Sequence, residues 1–243
     1  VEASPRRRAR RAPVGPAGPD TPAAGRRSVP LPPGPYELRL GDLRTRWPGG
    51  GVIGFGDAEL LLPQGRRVAL LGRSRVGTSA LAAVLLGFLD YQGVVTLNDV
   101  QLRDLADEDV RTVIGLCAHD AHLFDTTIAE NVRVARPDAT DEDVARALSG
   151  AGVDLPSDTR VEEGSVAAGA GRQRIALARA LLADLPILIL DEPDTRPDEG
   201  TTDAELADLI AAAEGRTLLL IMHRTVLPGA APILRHVDEV LEI

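Results

Sequence analysis

The chain reads as an α/β protein with a mixed core sheet, a small antiparallel β subdomain and a helical subdomain, and three stretches predict it. Arg67-Val-Ala-Leu-Leu-Gly72 is a short apolar strand that passes through a glycine loop into the helix Ser79-Ala-Leu-Ala-Ala-Val-Leu-Leu-Gly87. Pro186-Ile-Leu-Ile-Leu-Asp191-Glu192 is an aliphatic run that ends in two carboxylates. Thr217-Leu-Leu-Leu-Ile-Met222 is a second such run and meets His223 directly. Unbroken aliphatic runs of this length suit parallel strands buried on both faces.

The remaining elements follow in order. Residues 1–35 are rich in Pro, Gly, Ala and Arg without hydrophobic periodicity, and read as a disordered leader or linker. The folded part is expected over 36–243. Tyr36–Leu40 and Ala58–Leu62 suggest antiparallel strands, which Val94–Leu97 continues. Val113-Ile-Gly-Leu-Cys-Ala118 is an apolar strand, so its single cysteine, Cys117, is expected in the core rather than as a reactive thiol. Asp141–Leu148 reads as a helix started by Thr140 or Asp141, inside a helical insert spanning about 126–183. His236–Ile243 reads as a last strand.

The chemistry begins at Gly72-Arg73-Ser74-Arg75-Val76-Gly77-Thr78-Ser79. The pattern G-x-x-x-x-G-K-[ST] of a phosphate-binding loop fits at both glycines and at Ser79, but Thr78 stands where the lysine belongs. The 27 basic residues are all arginines, so no lysine elsewhere in the chain replaces it. Strand, glycine loop and helix together aim backbone N–H groups at an anion. Thr78 offers a neutral hydrogen bond and no charge. A hydrogen bond to a charged group is worth about 1.5–3 kcal/mol, so its loss implies roughly ten- to a hundred-fold weaker nucleotide binding. Arg73 or Arg75 are the candidate substitutes, although Arg75 also crowds the phosphate position. At the end of the acidic strand, Asp191 is placed to hold Mg²⁺ and Glu192 to polarise an attacking water. His223 is the candidate contact to a terminal phosphate. A solvated acidic turn and a structural histidine are the plain alternatives at these two strand ends.

Taken together, these elements resemble an ATP-binding-cassette (ABC) transporter nucleotide-binding domain over residues 36–243. Gly171–Leu182 looks like the helix after that family's LSGGQ signature, and His122–Asn131 like the segment after its Q-loop. Trp47-Pro48-Gly49 matches the aromatic that stacks on adenine. The stretch Leu116–Asp125 looks most like the CydC-type half of bacterial thiol (cysteine and glutathione) exporters. The resemblance implies a phosphate-loop NTPase fold and an ATP site formed by Trp47, Gly72, Arg73, Ser74, Arg75, Gly77, Thr78, Ser79, Ala80 and His119. It implies Mg²⁺ on Ser79 and Asp191, and catalysis by Glu192 and His223. It also implies a second nucleotide-binding domain, identical or not, and the transmembrane domain of an exporter, at the cytoplasmic side of the plasma membrane.

The departures from the family pattern are as informative. His119 takes the place of the Q-loop glutamine. The signature aligns with Ala167-Ala168-Gly169-Ala170-Gly171, so its serine, its glutamine and one glycine are gone, with Ala168, Gly169 and Gly171 at the signature positions. These losses imply weak ATP and Mg²⁺ binding and a degenerate partner in a two-domain assembly. The competing readings are a competent ATPase that uses Arg73 or Arg75, and a regulatory or decaying remnant outside transport.

Composition excludes other classes. The first thirty residues carry seven arginines against Glu2 and Asp20, a net of +5, which leaves −14 on the remainder of a chain whose total is −9. An acidic body without coiled-coil heptads argues against specific nucleic-acid binding. Four scattered histidines and one cysteine show no transition-metal spacing. No apolar run reaches the eighteen residues that a spanning helix needs. The transported substrate is invisible, because its contacts belong to membrane helices.

Overall fold

A computed structural model describes residues 28–56, 59–72, 74–161, 170–193, 203–223 and 233–243. The chain opens with β1 (Leu38–Arg46), β2 (Val52–Gly54) and β3 (Leu60–Leu62), followed by β4 (Arg67–Gly72), α1 (Arg75–Leu85), β5 (Tyr91–Leu97) and β6 (Val100–Gln101). Of these, β2, β1, β5 and β6 form an antiparallel sheet, with β3 paired to β1. Leu38 and Leu40 point inward, then Leu43 and Thr45, so the inward parity slips by one along β1. A register shift between Gly41 and Arg44 accounts for the slip. Gly93 lies across the ladder at φ +101, where an added Cβ would come within 2.4 Å of the Asp42 carbonyl oxygen. Only glycine fits the bend.

The second half holds α2 (Asp107–Arg111), β7 (Ile114–Ala118), α3 (Ile128–Arg133), α4 (Asp141–Gly150) and α5 (Ala170–Leu182). It continues through β8 (Ile187–Asp191), α6 (Asp203–Ala212), β9 (Thr217–His223) and β10 (Glu239–Glu242). Strands β10, β4, β9, β8 and β7 lie side by side in that order, all parallel. Parallel and antiparallel strands thus fall in two separate sheets.

The aliphatic runs are explained by what covers the parallel sheet. Val68, Leu70, Ile187, Ile189, Leu219 and Ile221 face α1 residues such as Leu81 and Leu85 and the inner side of the antiparallel sheet. Ala69, Leu71, Leu188, Leu190, Leu218, Leu220 and Met222 face the other way, onto side chains of α3, α4, α5 and α6. Burial on both faces removes the need for polar alternation. Thr140 caps α4, accepting from the Asp143 amide while the Asp143 carboxylate accepts from the Thr140 amide.

Three expectations shift. The helix after the glycine loop starts at Arg75 rather than Ser79. The last strand is Glu239–Glu242, because Ile233–His236 winds into a 3₁₀ turn. The end of the stretch expected to be disordered is tied down: the Val29 amide donates to the Asp104 carbonyl, and the Asn98 side chain donates to the carbonyls of Pro33 and Pro35. Leu31 packs on the core beside them, and apolar contact plus backbone pairing is enough to order the strap.

Candidate functional site

Strand register brings the predicted chemistry to one edge. Gly72 on β4 pairs with His223 on β9, Ile221 of β9 pairs with Asp191 of β8, and Asp191 pairs with Ala118 at the end of β7. The glycine loop, His223, Asp191, Glu192 and His119 therefore all stand at the carboxyl ends of adjacent parallel strands, where open α/β sheets place their ligands.

The two carboxylates are held differently. Glu192 leaves β8 at φ 43, with its amide donating to the Ile221 carbonyl at 2.9 Å. That left-handed turn swings its side chain off the strand direction. Asp191 stays in the strand, and its Oδ1 is buried without a hydrogen-bond partner among the described residues. Burial, with Glu192 and Asp120 adding negative charge nearby and His119 opposing, pushes the Asp191 carboxyl up to about 6. A divalent cation would relieve that desolvated oxygen. That oxygen suits a cation; Ser79, the other residue expected on Mg²⁺, is the fifth residue of α1.

Gln173 carries a role that sequence reasoning missed. It is 2% exposed on α5, and its amide Nε2 donates to the Cys117 carbonyl at 2.8 Å and to the Asp191 carbonyl at 3.4 Å. One side chain thus bridges the ends of β7 and β8. The signal was available, since an uncharged amide on a helix turn followed by Ile175-Ala-Leu-Ala invites burial with a partner. Nearby, Arg179 donates to the carbonyls of Asn131 and His122 and to Asn131 Oδ1, fixing the loop after β7 against α5.

The phosphate loop is folded on itself. Ser74 is the N-cap of α1, its Oγ accepting from the Gly77 amide at 3.2 Å. The Ser74 carbonyl also accepts from the amides of Gly77 and Thr78 at 3.1 and 3.2 Å. Thr78 is fully buried, and its Cγ2 lies where a Cβ on Gly72 would approach to 2.4 Å. The amides expected to cradle a phosphate are thus engaged in the first helical turn, and the lysine position is a methyl-bearing side chain folded under the strand end. The loop therefore offers a triphosphate no lysine at its centre.

Beside the loop lies a cavity of about 370 Å³ lined by Ile53, Phe55, Gly72, Ser74, Thr78 and Glu242, among others. Ile53, Phe55 and Glu242 were not anticipated from the sequence, because β2 and β10 reach the loop only through tertiary packing. Trp47 stands 37% exposed before the β1–β2 turn and is not in this lining. Ala80 turns its methyl into the core, leaving only its backbone toward the loop. Arg73, Ala168 and Gly169 lie outside the described residues, as do the side chains of Arg75 and His223. Gly171 is described, half-buried in the first turn of α5.

A parallel sheet with a glycine loop after one strand and an acidic residue ending another defines a phosphate-loop NTPase fold. More narrowly, the chain belongs to the ABC transporter family, whose sequence model matches residues 55–195. It is 42% identical over 176 residues to the mitochondrial potassium channel ATP-binding subunit of Xenopus tropicalis, covering 68% of this chain and 26% of that protein. It is 35% identical over 198 residues to the glutathione/L-cysteine transport system ATP-binding/permease protein CydD of Escherichia coli K12, covering 78% of this chain and 34% of that one. An ATP-dependent lipid A-core flippase of Legionella pneumophila strain Paris is 38% identical, covering 69% and 30%. The chain therefore spans between a quarter and about a third of these relatives. Its fold matches a bacterial Atm1-family ABC exporter solved with ATP bound, at a TM-score of 0.73 and 24% identity, over 90% of this chain and 40% of that one.

Proposed function

We propose that this chain is the degenerate nucleotide-binding domain of an ABC exporter of the thiol-exporter type, working with a second, intact domain and with membrane helices. The observation that carries the reading is the contrast at one strand edge: Asp191 and His223 are kept in register, with Glu192 next along the chain, while Thr78 is buried in place of the loop lysine. The likeness to CydD, to the lipid A-core flippase and to the Atm1-family fold supports an exporter setting at the cytoplasmic side of a membrane. Mg²⁺, held by Ser79 and Asp191, would supply charge neutralisation at the phosphates when bound. Glu192 is positioned to orient a water and accept its proton, and Gln173 holds the strand ends that carry Asp191 and His119. Without a cation at residue 78, charge developing on transferred phosphate lacks its usual counterpart.

The test is steady-state ATP turnover by the chain alone, beside Glu192→Gln, and by the chain mixed with a cassette that carries an intact loop and signature. The chain alone is expected to match Glu192→Gln, and the mixture to show ATP-dependent association by sedimentation velocity. Turnover by the chain alone that Glu192→Gln abolishes would establish the competent-ATPase reading instead. Failure to associate would point to a remnant outside transport.

A further inference from the structure

Away from the loop, the outer face of the antiparallel sheet presents arginines among exposed aliphatic side chains. Leu38, Leu40, Leu43 and Thr45 of β1 are buried, so Arg39, Arg44 and Arg46 stand on its solvent side. Arg39 and Arg44 are five residues apart and would point to opposite faces of a regular strand; the register shift between Gly41 and Arg44 brings them to the same one. Among the described residues no carboxylate pairs with Arg39, Arg44 or Arg46, and Arg46 donates only to the Gly50 carbonyl at 3.4 Å. By contrast Arg66, Arg111, Arg133 and Arg216 each meet a carboxylate. Asp42 at the bulge and Glu59 beside Gly41 lie between Arg39 and Arg44 without pairing to either. Strand pairing sets Leu61 beside Arg39, Val94 beside Gly41 and Val52 beside Arg46, and all three aliphatic residues are exposed.

We infer that this face docks an acidic segment of a partner protein, one that carries aliphatic residues among its carboxylates. The physical reason is charge complementarity combined with the apolar surface between the charges. A guanidinium fork matches a carboxylate with two parallel hydrogen bonds, and three such forks here are open. Arg44 and Arg46 are two residues apart on a strand, about 7 Å, which is the spacing of alternate side chains in an extended peptide. Leu61, Val94 and Val52 have nothing to gain from a phosphate chain but bury apolar area against aliphatic side chains. The face offers no aromatic at these paired positions on which bases would stack. The arginine-rich first thirty residues carry charge of the same sign, so they are not the occupant.

Fluorescence anisotropy of the full chain with a labelled peptide of Glu-Glu-Leu repeats tests this, beside a Lys-Lys-Leu peptide and an all-glutamate peptide. Inorganic polyphosphate is compared by competition, and phosphatidylglycerol vesicles by co-sedimentation. The Glu-Glu-Leu peptide is expected to bind about ten-fold or more tighter than the Lys-Lys-Leu peptide. Arg39→Gln and Arg44→Gln are each expected to weaken it about two- to five-fold with the melting temperature retained. Leu61→Ser is expected to weaken the Glu-Glu-Leu peptide and leave the all-glutamate peptide unchanged, which a purely electrostatic surface would not do. Gln92→Glu sets a carboxylate opposite Arg44 and is expected to weaken binding too, which keeps the face testable if the arginine variants do not fold. Absence of peptide binding at millimolar concentration, or equal binding by all these variants, would overturn the inference. Tighter binding of polyphosphate or of the vesicles than of the peptide would overturn it in favour of a phosphate-bearing ligand. Self-association of the chain that Arg44→Gln abolishes would overturn it in favour of a second copy. None of these readouts involves ATP, so the proposed role and the docking face stand or fall separately.

Discussion

Asp191 shows how one residue's placement sets a measurable property. Its carboxyl is pushed up to about 6 by burial, with Glu192 adding to the effect. The unfolded chain carries an ordinary carboxyl near 4, so the folded state holds the proton more tightly between those values. Stability contributed by the protonated group is present below pH 4 and is lost as pH rises through about 6. Asp191→Asn removes the charge at nearly constant shape. It is expected to raise stability at pH 7 by about 2 kcal/mol and to flatten this part of the pH dependence. Urea unfolding at pH 4, 5, 6 and 7 without divalent metal measures both effects, and an unchanged slope would mean that Asp191 is solvated. Added Mg²⁺ is expected to act in the same stabilising direction on the parent and not on the variant.

At the scale of elements, the link to watch runs from α5 to the ends of β7 and β8. Gln173 supplies the buried donor for two carbonyls, so replacing it by leucine leaves both without that partner. The expected loss is about 1–3 kcal/mol. Hydrogen exchange should localise it, with faster exchange at Ala118–Asp120 and Asp191–Glu192 and little change in the antiparallel sheet. Uniform acceleration over the whole chain would instead mean a general packing defect. Much of this level was legible beforehand. The aliphatic strands at 67–72, 187–191 and 217–223 follow from composition, because burial on both faces leaves a continuous apolar run. The start of α1 was not legible. Ser74 reads equally as a loop residue or an N-cap, and the choice depends on whether the side chain at 78 can fold under Gly72. Threonine is buried there, whereas lysine would bring an ammonium at the end of its aliphatic stem.

Across the whole molecule, two cores sandwich the parallel sheet, and Cys117 sits in one of them at 0% exposure. Burial pushes its thiol up to about 12, so almost no thiolate forms at neutral pH. Reaction with a thiol reagent at pH 8 is therefore expected to wait for opening of the core. Its rate should follow global unfolding as urea is added, rising steeply through the transition. Fast labelling in buffer without denaturant would show that β7 opens locally. Cys117 also reports on α5, since its carbonyl is the acceptor for Gln173. The same experiment on Gln173→Leu is expected to give faster labelling, joining the element-scale and whole-molecule behaviour in one measurement.

The fold class and the order of the strands' chemistry were legible in the sequence. Those features are local: an apolar run, a glycine spacing and a carboxylate at a strand end are each written in consecutive residues. Tertiary structure alone decided which side chains meet. Gln173 reaches Cys117 and Asp191 across 56 and 18 residues of chain, and Ile53 and Glu242 come to one cavity from opposite ends of the folded part. It also decided that the loop amides close on Ser74, an arrangement that the spacing of the motif does not record. Long-range packing sets such distances, and sequence spacing carries no record of them.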